Sequence, residues 1–320
     1  MDTEQQLKEA EEHMRTGRYD RAVSIYKELV KEHPSEDSFL LHLAWAYHDS
    51  GALFDAIDCF EQLFEKELRQ DIFTGFAYDE LFRIFKTEHL HERLVTVCEK
   101  AVKAQPEDTG YLNDLADAYA GLGLFEKAAD TYRRMIDVDP VEADFYCRLG
   151  SALIRAGDWT AAEDAYGRAV EMEKDTADVV YYKLSDAYSR AGLEEKAETA
   201  QRKGLTFCQD NPLYYLNLSD ILARQERYNE AHAVCEQAVH LNPANGAACF
   251  NRLGNTLLRA GFHEAALKAF LQAVAMDPEN PFFYFYLAEC CRALGRNEEA
   301  DRYLEQSERY GKKINTAPAS

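Results

Sequence analysis

A 34-residue spacing governs this sequence. Aligned against itself, the 320-residue chain falls into nine units, 3–36, 37–70, 75–108, 109–142, 143–176, 178–211, 212–245, 247–280 and 281–314, with short insertions at 71–74, 177 and 246. A period of this length marks one supersecondary unit repeated, because so short a segment cannot bury its own apolar face and must stack on its neighbours. Within each unit the apolar residues recur at helical spacing in two blocks, and the second block commonly runs into Asp-Pro or Asn-Pro. Each unit therefore predicts a helical hairpin. The chain reads as one array over 1–314 rather than two globular domains, with a flexible tail at 315–320.

The marked positions have physical jobs that agree with this. Position 15 is glycine in seven units (Gly17, Gly51, Gly123, Gly157, Gly192, Gly261 and Gly295), where one helix must stop and the next begin within a few residues. Position 20 is alanine in eight: Ala22, Ala56, Ala128, Ala162, Ala197, Ala231, Ala266 and Ala300. A small residue there lets the two helices of a hairpin approach closely, above all opposite Gly150, Gly254 or Ala116 at position 8. Pro34, Pro106, Pro140, Pro243 and Pro278 all fall at position 32 and discourage the preceding helix from continuing. Tyr47, Tyr119, Tyr188 and Leu257 share position 11 and read as core. Trp159, beside the turn, reads as a plug between helices.

Segments such as LGSALIRAGDWTAAEDAYGRAVEM and LGNTLLRAGFHEAALKAFLQAVAMDPEN closely resemble the tetratricopeptide repeat motif, and the resemblance runs over nearly all of 3–314. It implies an all-α fold, an alpha-alpha superhelix built as a right-handed solenoid, whose concave groove is lined chiefly by the first helix of each pair. It also implies protein or peptide binding, scaffold assembly or chaperoning, usually without catalysis.

Composition narrows the partners. Lys and Arg number 36 against 57 Asp and Glu, a formal net charge of -21, which opposes general binding to nucleic acid or to an anionic membrane. No stretch reads as a signal peptide or spanning helix, so the expected location is cytoplasmic. The eight cysteines lie mostly within apolar helical pattern without a CxxC pair and read as buried small hydrophobes. No HExxH, GxSxG, GxGxxG or GxxxxGK[ST] signature stands in a suitable setting. His89, His91 and Cys98 make no familiar zinc set, and Cys290 and Cys291 point about 100° apart on a helix. No enzyme activity, cofactor or metal is expected.

Two places break the pattern. In the third unit Phe82 and Leu94 replace the small residues of positions 8 and 20 and His89 replaces the turn glycine, which predicts a splayed hairpin and a change of curvature near 71–108. The first helix carries Gln6 and Glu9 where later units have aromatic and Leu residues, as an N-terminal cap would. At the far end, Lys312 and Lys313 are expected to follow the last helix and meet its negative end.

Positions 2, 5, 9, 12 and 13 of each first helix share one sector of its circumference. Position 13 repeats as a cationic row, Arg155, Arg190, Arg224 and Arg259. Positions 5, 6 and 9 add Arg148, Tyr182, Lys183, Asp186, Leu216, Asp220, Asn251, Arg252 and Asn255. Such a surface suits an extended segment of acidic or mixed polarity, although Asp186 and Asp220 can neutralise their neighbours. Asn255 resembles one element of the family's clamp for peptide C-terminal carboxylates, but Tyr286 stands where the next asparagine is expected, which argues against a cochaperone role. The competing reading is a homo-oligomeric scaffold that associates through Phe282, Phe285 and Tyr286 of the last unit.

Overall fold

A computed structural model describes residues 2–70 and 73–316, with side chains to Lys312. Among the described residues every regular element is helical and no strand occurs. The helices divide into two compact units that meet in sequence at Pro140 and Val141. The first holds α1 (Thr3–Arg15), α2 (Tyr19–Glu32), α3 (Asp37–Ser50), α4 (Leu53–Gln70), α5 (Phe76–Thr87), α6 (His91–Ala104), α7 (Thr109–Gly121) and α8 (Phe125–Val138). The second holds α9 (Ala143–Ala156), α10 (Trp159–Met172), α11 (Ala177–Arg190), α12 (Glu194–Leu205), α13 (Pro212–Arg224), α14 (Tyr228–Leu241), α15 (Gly246–Arg259), α16 (His263–Met276), α17 (Pro281–Ala293) and α18 (Asn297–Thr316). Odd-numbered helices pack on the even-numbered helix that follows, so both units are stacks of helical hairpins.

The turn inside each hairpin is held by backbone geometry. All seven position-15 glycines have φ between 71° and 86°, and the two residues that replace glycine, His89 and Glu226, are held at 56° and 63°. Around Glu226 the helix closes as a left-handed cap: the Glu226 amide donates to the Ala223 carbonyl at 3.1 Å and the Arg227 amide to the Leu222 carbonyl at 3.0 Å. The turn is thus imposed by stacking even where the residue resists it.

Between the two helices of a hairpin, the eight position-20 alanines are fully buried, and Tyr47, Tyr119, Tyr188 and Leu257 are buried beside them. Gly150 and Gly254 leave room for Tyr166 and Phe270. A Cβ on Gly150 would sit 2.5 Å from the Tyr166 ring, and one on Gly254 would sit 2.7 Å from the Phe270 ring. The third hairpin inverts this arrangement. Phe82 stands at position 8, but position 24, Tyr166 or Phe270 elsewhere, is the small and fully buried Cys98. Bulk has been moved from one helix to the other, which offsets part of the crowding expected of Phe82. The half-buried Phe82 ring lies against Tyr78, with centroids 5.8 Å apart, and beneath the Lys86 ammonium at 5.3 Å. Of the insertion at 71–74, residues 71 and 72 lie outside the described residues.

Two local expectations need correction. Trp159 is 44% exposed with the Lys196 ammonium 5.6 Å from its ring, because as the first residue of α10 it is covered on one side only. It is not a plug. Lys312 and Lys313 do not follow the last helix, since α18 runs on through both to Thr316. The expected tail at 315–320 therefore begins within a helix, and 317–320 lie outside the described residues.

Candidate functional site

The first helices of the second unit's hairpins, α9, α11, α13, α15 and α17, carry every side chain singled out as a binding candidate. Within this unit α9 packs on α11 and α13 on α15. Helix starts are set by local chemistry. The Asn211 side chain accepts from the Leu213 amide at 3.0 Å and the Asn280 side chain from the Phe282 amide at 3.1 Å, and each is followed by proline at the first helical position. The same caps place Leu213 and Phe282 on the first turn of their helices.

At the other end of these helices stand the exposed arginines Arg155, Arg190, Arg224 and Arg259, in the last turn where the helix dipole favours a cation. Their surroundings differ. Arg190 meets Asp186 of its own helix at 2.8 Å and keeps 73% of its side chain exposed. Arg224 forms a two-pronged pair with Glu194 at the start of α12, at 2.6 and 3.1 Å, and also donates to the Ser189 hydroxyl at 3.0 Å. Arg259 has no side-chain partner among the described residues.

Two carboxylates, Asp144 in the first turn of α9 and Asp220 farther along α13, tie pairs of first helices together. Asp144 of α9 accepts from Arg148 at 2.6 Å and from Lys183 of α11 at 2.7 Å. Burial pushes its carboxyl up, but these two hydrogen bonds outweigh burial and hold it below the usual aspartate range. Asp220 of α13, buried, accepts from Arg252 of α15 at 2.6 Å and from the Thr256 hydroxyl at 2.8 Å. Asn255 turns back on α15, donating to the Asn251 carbonyl at 3.0 Å. Arg148, Lys183, Arg224 and Arg252 therefore already serve as inter-helix and intra-helix ties, which leaves Arg190 and Arg259 as the most available cations of the proposed set.

The sequence reading missed a further feature. Position 2 of α11, α13 and α17 is Val179, Leu213 and Phe282, exposed to 40%, 42% and 68%. One turn along, position 5 is Tyr182, Leu216 and Phe285, the last 44% exposed. Ala248 and Asn251 occupy the same register of α15. Phe282 and Phe285 thus share the register of the α11 and α13 residues, with α15 interrupting both rows. Tyr286 is half-buried: its ring stacks on Phe270, centroids 5.2 Å apart and 13° from parallel, and meets Phe285 edge-on at 5.6 Å, so it joins the hairpin core to the exposed Phe285. In the first unit the same two registers read Glu4, Ser38, Phe76 and Gly110, then Leu7, Leu41, Asp79 and Asn113. The recurrence at position 2 was available from the period alone, but exposure is what separates it from core.

Two clefts lie away from this face. One, of about 1030 Å³ between α2, α4 and α6, is crossed by ion pairs of Lys66 with Asp37, Lys100 with Glu65, and Arg93 with Glu61. The other, of about 750 Å³, lies between α14 and α16 beside His232, Phe262, His263 and Leu271. Seven of the eight cysteines are buried, and burial raises the Cys98 thiol to about 12, far from a reactive thiolate. Among the described residues no three His, Cys, Asp or Glu side chains converge as a metal site, and no helix is long and apolar enough to cross a membrane.

The tetratricopeptide repeat profile matches residues 7–66, 97–144, 147–212 and 251–309, and a second profile of the same description matches 212–245. Together these cover well over half of the chain. Among curated proteins, Superkiller protein 3 of Schizosaccharomyces pombe is 24% identical over 288 residues, 90% of this chain and 19% of that protein. The TPR repeat-containing protein YpiA of Bacillus subtilis is 23% identical over 294 residues, 89% and 66% of the two chains. Human DnaJ homolog subfamily C member 7 is 25% identical over 193 residues, 57% and 39%. The chain spans less than two thirds of each of these relatives. Among solved structures, a tetratricopeptide repeat protein from Parabacteroides merdae aligns over 88% of this chain and 98% of its own at 16% identity and a TM-score of 0.49.

Proposed function

This chain belongs to the tetratricopeptide repeat family, and from that premise we propose that it is a non-catalytic adaptor of the cytoplasm that holds a partner segment against the first helices of its second unit. One observation carries the reading: exposed side chains recur in register on first helices of this unit, apolar at one end in Val179, Leu213 and Phe282 of α11, α13 and α17, and basic at the other in Arg190, Arg224 and Arg259 of α11, α13 and α15. A stack of rigid hairpins presents such groups already positioned, so binding spends little on ordering them.

The arginines favour a segment with acidic character. An ionic hydrogen bond contributes roughly 1–3 kcal/mol, less where an internal carboxylate competes, as Asp186 does for Arg190 and Glu194 for Arg224. The test is capture of a native partner by the full chain, then its affinity for the Arg190→Gln, Arg224→Gln double variant, with helicity and thermal unfolding as controls. Weakened binding is expected, and more so at low salt. Unchanged affinity, or hydrogen-exchange protection that maps away from α11 and α13, would refute the assignment.

The second reading, self-association through Phe282 and Phe285, draws on their exposure. Light scattering across concentration separates the two, because only self-association raises the mass without a partner.

A further inference from the structure

The second helices of the same unit carry a separate surface. We propose that the cleft between α14 and α16 docks an amphipathic helix of a partner protein, its apolar side chains over Ala265 and Leu271 and an acidic side chain against Lys268. This site does not depend on the first-helix face.

The period singles the place out. Position 25 is charged in seven units, as Lys27, Glu61, Glu99, Arg133, Arg202, Glu236 and Glu305, and is glycine in the fifth; only the eighth places an apolar residue there, Leu271, which is 42% exposed. Neighbouring junctions are braced by long charged side chains. Lys196 of α12 reaches Glu163 of α10 at 2.7 Å, Arg227 at the start of α14 reaches Glu198 of α12 at 2.6 Å, and Arg296 before α18 reaches Glu264 of α16 at 2.9 Å. Between α14 and α16, His232 and Ala265 stand at the positions of Glu163 and Lys196. Alanine cannot make that brace, and the junction opens into the cleft of about 750 Å³, with Leu253 and Leu257 of α15 in its lining and the Tyr228 and Phe262 rings, 4.6 Å apart, beside them.

The lining describes the occupant. On α16 it runs from Phe262 to Gln272, ten residues or about 15 Å, and Ala265, Lys268 and Leu271 follow one another at three-residue steps on one side of the helix. Leucine and aromatic side chains offer few hydrogen bonds to an incoming backbone. An extended segment would bring unpaired amides and carbonyls, whereas a helix satisfies its own and presents apolar anchors at the spacing that fits such a groove. The small Ala265 allows close approach of the two helices. Charge gives the second requirement. Lys268 is exposed and without a partner among the described residues, while Glu264 beside it is already engaged by Arg296. The uncommitted charge at the rim is therefore positive, in a chain whose net charge is -21, and it favours an acidic helix. A second copy of this chain is the poorer occupant, because two bodies of that charge repel on approach.

The experiment displays a library of helical peptides, an alanine-rich frame with one face and its flanks randomised, and selects it on the full chain. Parallel selections use Leu271→Glu, which writes in the residue of four other units, and the double variant His232→Glu, Ala265→Lys, which writes in the brace found between α10 and α12. Helicity and unfolding midpoint are checked first. Leu271 is exposed, so that variant should match the parent and decides the question if the double variant is unstable. The expected winners carry apolar residues at i, i+3 or i+4, and i+7 with Asp or Glu on one flank. A synthetic peptide of their consensus should gain helicity on binding and should bind both variants at least tenfold more weakly. Lys268→Gln should weaken it several-fold, and that loss should vanish when the peptide's acids become amides.

No enrichment over Leu271→Glu, winners with strand-like alternation, or a consensus peptide that binds Leu271→Glu within twofold would each overturn the proposal. Loss of binding on the Arg190→Gln, Arg224→Gln variant instead would place the peptide on the first helices, so that the cleft falls and the first-helix reading stands. Dimerisation of the chain alone, abolished by Leu271→Glu, would assign the cleft to a second copy and overturn the partner helix.

Discussion

Alanine in place of glycine should act with opposite sign at two sites of the second unit's first hairpin. Gly167 lies within α10, and a Cβ built there meets nothing within 4 Å. Gly167→Ala then gains only the difference in helix propensity and should stabilise by about 1 kcal/mol. Gly150 lies within α9, and its added Cβ would fall 2.5 and 2.6 Å from two carbons of the Tyr166 ring and 3.3 Å from the Ala162 carbonyl oxygen. The backbone oxygen cannot yield, so the ring must, and the ring is anchored by a 2.7 Å hydrogen bond between its hydroxyl and Ser151. Overpacking of this kind costs about 1–3 kcal/mol and outweighs the same propensity gain, leaving Gly150→Ala destabilised by about 1–2 kcal/mol. Urea unfolding followed by circular dichroism, fitted with a nearest-neighbour repeat scheme, reads both changes. The Phe82 and Cys98 arrangement of the third hairpin supplies the rescue. Tyr166→Cys alone should cost several kcal/mol as a cavity, but should cost less in the Gly150→Ala background. Equal shifts for the two alanine variants, or strict additivity of Gly150→Ala with Tyr166→Cys, would refute the packing account.

The turns allow a second comparison. Glu226→Gly should raise stability by about 0.5–1 kcal/mol by relieving a left-handed residue, and Gly261→Ala, at φ 84° in open space, should lower it by a similar amount. Unfolding midpoints decide both. Asp114 is pushed up chiefly by burial, against a hydrogen bond from the Tyr78 hydroxyl. Its folded form therefore holds the proton more tightly than the unfolded chain, so stability falls as pH rises above the ordinary value of 3.8 through the raised folded value. Asp114→Asn keeps an acceptor for Tyr78 and should remove that loss, leaving the variant at least as stable as the parent near neutral pH by parallel melts. Asp144 has the opposite sign. Its stabilisation is present above the unfolded value of 3.8 and is lost as pH falls through the depressed folded value, so Asp144→Asn should flatten the acid limb of the pH–stability curve.

What could be read in advance follows the range of the interactions. The hairpin turns were legible because glycine at a fixed position is a local signal, and the left-handed conformations of His89 and Glu226 could be inferred from their place in the period. The core tyrosines and alanines were legible for the same reason. Phe82 at position 8 was legible as a break in the period, whereas the small Cys98 at position 24 of the same hairpin was not weighed with it. For Tyr286, helical sector alone cannot show that its ring reaches Phe270. The arginines fall in the last turn of their helices, as their shared position requires, but their availability was not legible. Glu194 is 30 residues from Arg224 and Asp220 is 32 from Arg252, and only the stacked structure brings those pairs together.

Several of these ties cross from one hairpin to the next: Lys183 to Asp144, Arg252 to Asp220, Tyr214 to Asp178 at 2.7 Å and Tyr78 to Asp114 at 2.8 Å. A pull along the stack loads them directly, whereas flexing a single hairpin leaves them slack. Each unit should therefore behave mechanically as a chain of stiff links with charged couplings between them. Protonating Asp144 would slacken its coupling to Lys183, so acid should soften the stretch of the second unit before it melts the helices themselves.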